Sequence, residues 1–159
     1  MPEETASQTG TLRLEVRKTI AATPEQLFAA WTQPERLKEW WGPQGVTCID
    51  AVVDLRVGGK YRLGNRLPDG KVLWIIGEYR VVEPPRKLVY TWQIESESHA
   101  PEIVTVRFEA RENGTEVVVI HERIRDVSTR NQHQYGWQGC LTGLTEYVTY
   151  TSFGGPKQG

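Results

Sequence analysis

The chain of 159 residues has two cysteines, almost no net charge and no long apolar run, and each shortage removes a class of function. Cys48 and Cys140 lie far apart in sequence and cannot supply the disulfide framework of a small secreted domain; buried free thiols in a cytoplasmic protein are the expectation. The formal charge is −1, with both signs mixed along the chain, which leaves no footprint for nucleic acid and no polybasic anchor for a membrane. No segment reaches the length of a transmembrane helix, and the N-terminal region lacks the apolar core of a signal peptide. The three histidines, His99, His121 and His133, show no metal-ligand spacing with one another or with the cysteines, so no metal and no cofactor is expected. Gly58-Gly59 is not followed by a helix and is no phosphate loop. No Ser-His-Asp or Cys-His arrangement can be argued from the order of residues, and no catalytic residue is assigned.

What the chain does have is a dense corner at residues 23–43. Thr23 caps a helix with Pro24 at its first position and Gln26 three residues after the cap, a capping box. Leu27, Phe28 and Trp31 then recur at helical spacing. Pro34 starts a second helix that reaches Trp40, and Trp41-Gly42-Pro43 stops it. Three of the six tryptophans stand in this helix-Pro-helix corner, which is either a core plug or one wall of a pocket.

Around the corner the pattern is one of strands. Leu12, Leu14 and Val16 alternate with charged residues, and Lys18 continues their face toward the mouth of a cavity. From about Val46 to Glu122 strands follow one another, broken at Gly58-Gly59, Pro68-Asp69-Gly70, Glu83-Pro84-Pro85-Arg86 and Asn113-Gly114. With Asn113 and Gly114 as a two-residue loop, Phe108 faces Val119 and Val106 faces His121. Val104, Val106, Phe108, Val117, Val119 and His121 then share the apolar face, so His121 points inward. Beyond Arg125 the period becomes helical: Thr129 with Gln132 forms a capping box, Trp137, Leu141, Leu144 and Val148 form a stripe, and Gly154-Gly155-Pro156 ends it. This helix, over Thr129–Phe153, runs to ~33 Å. Gly136, Gly139 and Gly143 inside it each cost about 1 kcal/mol relative to alanine, which marks close backbone approach or room for something else.

No repeat or linker divides the chain. One domain is expected over residues 11–153, between a flexible tail at 1–10 and another at 154–159. The class is α+β: a curved antiparallel sheet of about seven strands around a long C-terminal helix, with two short helices after the first strand.

Ala30-Trp31-Thr32, Pro34-Glu35, Leu37 and Trp40-Trp41-Gly42-Pro43 resemble the signature of the AHSA-like family, the homologues of the activator of heat-shock protein 90 ATPase. Asp54-Leu55-Arg56-Val57-Gly58-Gly59, Gly77-Glu78-Tyr79, Pro84-Pro85-Arg86-Lys87-Leu88, Tyr90-Thr91-Trp92 and Gly136-Trp137 follow in the family's order. The resemblance covers about Leu12 to Tyr150. It implies the START-like (SRPBCC) helix-grip fold, an apolar cavity between sheet and helix, and a setting in stress response. Carriers, cyclase or aromatase enzymes and chaperone activators share this fold.

The reading favoured by the residues is non-catalytic binding of a small apolar or aromatic molecule. Its wall would comprise Trp31, Trp40, Tyr79, Trp92, Val106, Phe108, His121, Trp137 and Leu141, with burial supplying affinity. A cyclase- or aromatase-like enzyme would draw its acid and base groups from His121, Tyr79, Tyr90 and Lys18. A co-chaperone-like module would act on a heat-shock protein 90 type partner through an exposed apolar patch around Val118, Ile120 and the second helix. Neither nucleic acid nor membrane is an expected partner, and a monomer and a homodimer are both compatible.

Overall fold

The computed structural model describes residues 10–42, 45–98 and 100–150. The expected tails (Gly10 apart), Pro43, His99 and the Gly154-Gly155-Pro156 stop lie outside these. The elements are β1 (Leu12–Ile20), α1 (Pro24–Thr32), α2 (Pro34–Trp40), β2 (Thr47–Val53), β3 (Lys60–Arg66), β4 (Val72–Glu83), β5 (Lys87–Ile94), β6 (Glu102–Arg111), β7 (Gly114–Ile124) and α3 (Val127–Tyr150). The strands form one antiparallel sheet in the order β1-β7-β6-β5-β4-β3-β2. Since β1 and β2 are opposite edges, the helix pair between them carries the chain from one side of the sheet to the other. The α3 helix lies on the concave face against β1, β7 and α2. This is the α+β helix-grip arrangement the pattern predicts.

Local chemistry explains the corner. Thr23 and Gln26 complete a reciprocal capping box, with Gln26 N–H donating to Thr23 Oγ1 at 3.0 Å and Thr23 N–H to Gln26 Oε1 at 2.8 Å. The inward faces of α1 and α2 then bury Leu27, Trp31, Leu37 and Trp40, each at most 5% exposed. The Trp31 ring lies at the centre of an aromatic cluster, 5.1 Å from Trp40, 5.8 Å from Phe108 and 6.0 Å from Trp137, stacked on the last. Its indole N–H donates to Tyr90 Oη at 3.3 Å, and that of Trp40 to the Ala30 carbonyl at 2.9 Å, so neither buried tryptophan leaves its polar end unmet.

Three expectations need correction. The β6–β7 loop is Glu112-Asn113, and pairing runs Arg111↔Gly114, Phe108↔Val117 and Val106↔Val119. Gly114 is drawn into the strand because it abuts β1: a Cβ there would stand 2.2 Å from the Ile20 carbonyl oxygen. The slip is two residues, which preserves which face each side chain takes, so His121 still points inward, opposite Val104. The cap of α3 comes earlier than Thr129, from Asp126, whose Oδ1 accepts the Thr129 N–H at 2.7 Å. Val118 and Ile120 are buried, at 0% and 8% exposed, and offer no surface patch. Both cysteines are free and buried.

The centrality of Trp31 sets an expected cost. Trp31→Ala removes the ring on which four others lean and should lose about 3–5 kcal/mol of unfolding free energy in urea. Val52→Ala, at a site 58% exposed, should stay within about 0.5 kcal/mol of the parent.

Candidate functional site

The inward alternation of β6 runs Phe108, Val106, Val104 and then Glu102, a carboxylate on an otherwise apolar row. On β7 the matching row ends at His121. Four residues before Trp137, one turn back along the α3 stripe, stands His133. The register that sets His121 against Val104 and Trp92 against Glu102 brings all three polar groups together under the first turns of α3. Glu102 and His121 are 2% and 0% exposed, and His133 is half-buried.

Their hydrogen bonds form one chain. Trp137 Nε1–H donates to His121 Nδ1 at 3.0 Å. His121 Nε2 lies 2.7 Å and His133 Nε2 3.0 Å from the same Glu102 oxygen, Oε1. An indole N–H can only donate, so His121 Nδ1 is an acceptor and its proton sits on Nε2, directed at Glu102. The two imidazoles stack at 4.4 Å between ring centres, with Trp92 edge-on to both.

The charges follow from the donors. Burial would raise the Glu102 carboxyl, but the hydrogen bonds and positive ends of His121 and His133 outweigh it and hold the group down to about 2. Burial pushes His121 below its ordinary range, the Glu102 hydrogen bond opposing. An ionised Glu102 beside a neutral His121 agrees with the proton positions. His133 must then also carry a proton on Nε2, because an ionised carboxylate only accepts. Its Nδ1 has no hydrogen-bond partner among the described residues.

Two imidazoles and a carboxylate whose ligand atoms all lie within 4.8 Å of one another also suit a transition metal by type, a grouping the sequence spacing had not indicated. The surroundings fit it poorly. A histidine that binds metal through Nε2 donates its Nδ1–H to an acceptor; here Nδ1 faces the donor Trp137. The cluster is built to hold protons.

Beside it lies a pocket of about 100 Å³, walled by Trp41, Ile75, Trp92, Trp137 and Cys140, with Asn65, Gln132, His133 and Gly136 completing it. Nothing stands within 4 Å of where a Cβ on Gly136 would be, so that glycine leaves room. Gly143 serves differently, its Cβ position meeting the Trp40 carbonyl oxygen at 3.2 Å. Asn65 is 5% exposed and its Oδ1 has no hydrogen-bond partner. A second void of about 20 Å³, sharing Trp41, Ile75 and Trp92, lies among Trp31, Tyr61, Tyr79 and Tyr90, and is about the size of one water.

The nine expected wall residues therefore separate. Trp92 lines both voids, Trp137 the larger, and Trp31 and Tyr79 the smaller. Trp40, Val106, Phe108, His121 and Leu141 line neither and are packed core. Lys18 is exposed on β1 and lines neither void. Burial raises the phenols of Tyr61, Tyr79 and Tyr90 well above their usual range and the Cys140 thiol to about 12, so these groups stay protonated. Glu102, His133 and Asn65 are the residues that sequence reasoning missed. Strand parity extended by one more step would have reached Glu102, and helical spacing back from Trp137 would have reached His133.

A curved antiparallel sheet gripping a long terminal helix, with a small polar-ended cavity between them, defines a protein of the START-like helix-grip class. Within that class the chain belongs to the family of Activator of Hsp90 ATPase homolog 1-like proteins, whose sequence profile matches residues 21–149. Similar solved structures include protein CV1439 of Chromobacterium violaceum (TM-score 0.79, 24% identity, covering 86% of this chain and 96% of that one). Another is a protein of Rhodobacter sphaeroides (0.75, 26%, 89% and 95%). An AHSA1-like protein of Aeromonas hydrophila is a third (0.75, 21%, 93% and 99%). No curated protein matches the sequence.

Acid sensitivity follows from the cluster. A depressed His121 refuses a proton that the unfolded chain accepts, so its contribution is complete above its ordinary 6.5 and declines below it. Glu102 contributes fully above its ordinary 4.5 and loses that contribution as pH falls toward 2. Urea midpoints should therefore fall in two stages from pH 7 to pH 3. Glu102→Gln should cost on the order of 2 kcal/mol at pH 7 and flatten the lower stage.

Proposed function

We propose that this domain binds a small, largely apolar ligand of single-ring size in the pocket between the sheet and α3, without chemistry of its own. The observation that carries the reading is the pocket of about 100 Å³ beside Gly136, walled by three tryptophans and with Asn65, Gln132 and His133 in its lining. Ligand sites commonly join such an apolar wall to a few convergent polar atoms. The size argues against a lipid chain: sites for drug-sized ligands occupy ~300–1,000 Å³, whereas an apolar cavity of ~150 Å³ admits benzene. The other two readings have less support. Of the acid and base groups considered for an enzyme, Tyr79 and Tyr90 share the small void, but His121 lines neither void and Lys18 is in solvent. The strand residues considered for a chaperone-docking patch are buried.

The test is a heteronuclear NMR titration with toluene, following the indole N–H resonances of Trp92 and Trp137. Both should shift saturably. Gly136→Leu should fill the space and weaken binding at least tenfold, whereas Gly136→Ala should stabilise the helix by about 1 kcal/mol and weaken binding less. Saturating toluene and phenol that both leave the two resonances unmoved would sink the proposal.

A further inference from the structure

The hydrogen bonds around Glu102 dictate more than the presence of a pocket; they dictate the polarity of its end. His133 lines the pocket, and its Nε2 proton is committed to Glu102 Oε1 at 3.0 Å. In the neutral imidazole that donation leaves a lone pair on Nδ1, which has no hydrogen-bond partner among the described residues. Asn65 also lines the pocket, but its Oδ1, which has no hydrogen-bond partner, is itself buried away from the open space. His133 Nδ1 calls for a donor. Cys140, the other polar side chain deep in the wall, is held as a thiol by burial and is no nucleophile. An anionic ligand is disfavoured, because the ionised Glu102 stands directly behind His133 and its remaining partner, His121, is locked neutral by the Trp137 donor.

We infer that the Glu102–His133 pair makes this pocket selective for a neutral single-ring aromatic bearing a hydroxyl, whose O–H donates to His133 Nδ1 while the ring packs against Trp92 and Trp137. The inference rests on the binding reading above and adds the chemical class. Glu102 is the positioning residue: by taking the Nε2 proton it fixes the tautomer that turns an acceptor to the ligand. The arrangement is that of a carboxylate-oriented imidazole, in which the far nitrogen becomes the more basic one.

The probes are phenol, its methyl ether anisole, and toluene, bound to the full chain. Phenol should bind about tenfold more tightly than anisole, the worth of one hydrogen bond to a polarised acceptor. Independently of any variant, ¹⁵N spectra of the parent protein should show His133 as the Nε2–H tautomer, with phenol, and not anisole, moving the Nδ1 resonance. His133→Phe should bring the phenol-to-anisole ratio to about one. Glu102→Gln should mix the two His133 tautomers in the ¹⁵N spectrum and lower the ratio. If toluene and phenol both fail to bind, the pocket reading and this inference fall together. If toluene binds and phenol and anisole bind equally, or His133 is the Nδ1–H tautomer, the inference alone is overturned.

Discussion

A carboxylate taken out of water has to be answered by donors, and much of the arrangement between the sheet and α3 follows from how Glu102 is answered. Among the described residues no lysine or arginine does it. Two imidazole N–H groups share one of its oxygens, one from the neighbouring strand and one from the helix above. Each comes with conditions. His121 can donate only while its other nitrogen accepts, and Trp137 supplies the donor that enforces this. His133 can donate only while α3 keeps its first turns over the sheet. The carboxylate thus fixes the rotation of α3, the tautomer of a fully buried histidine and the seat of Trp137. Losing either imidazole would leave a buried charge short of a partner, which costs more than an ordinary missing hydrogen bond.

The rest of the interior is organised to make room for that cluster at one end only. Trp137 stacks on Trp31, which leans on Trp40, Trp41 and Phe108, and the three tyrosines of β3, β4 and β5 pack on one another at 5.2–5.9 Å, Tyr90 edge to face with the other two. Large rings filling the grip leave about 20 Å³ in the middle. The glycines of α3 show the same division of labour. At Gly143 the helix is pressed against the end of α2 and a side chain would crowd it, whereas at Gly136 the space is open. One missing side chain admits a backbone and the other leaves a pocket.

What could be read in the sequence followed strand parity and helical spacing, because both survive small errors. The β6–β7 register was misplaced by two residues, since Asn-Gly favours a tight loop in general while Gly114 is needed here against the Ile20 carbonyl. Parity nevertheless put His121 on the inner face. The same parity held Glu102, but an acidic residue at a strand start reads as a surface group, and only the contact with two histidines from other elements explains its burial. His133 stood 12 residues from His121 on a different element, a separation that carries no metal or dyad signature. Convergence of side chains across β6, β7 and α3 is a property of tertiary packing, which local pattern cannot express. The filling of the cavity was hidden for the same reason: the tryptophans and tyrosines are legible as apolar, but whether rings line a space or occupy it depends on their rotamers.

Family membership therefore fixes less than the local chemistry does. Relatives at 21–26% identity share the curved sheet and the gripped helix, and that frame is compatible with carriers, enzymes and interaction modules alike. The frame provides a gap between sheet and helix; the side chains decide how much of it stays open and what its walls offer. In this chain the aromatic corner closes the middle of the gap, and Gly136 keeps one end open. Glu102 takes the Nε2 proton of His133, and on the inference above that histidine's Nδ1 is then the acceptor offered to whatever enters. Apolar walls beside an acceptor discriminate through the donor a ligand must bring, because a ring without one leaves His133 Nδ1 desolvated and unpaired. The penalty for that mismatch, more than any gain from the matched hydrogen bond, is where such a site acquires selectivity.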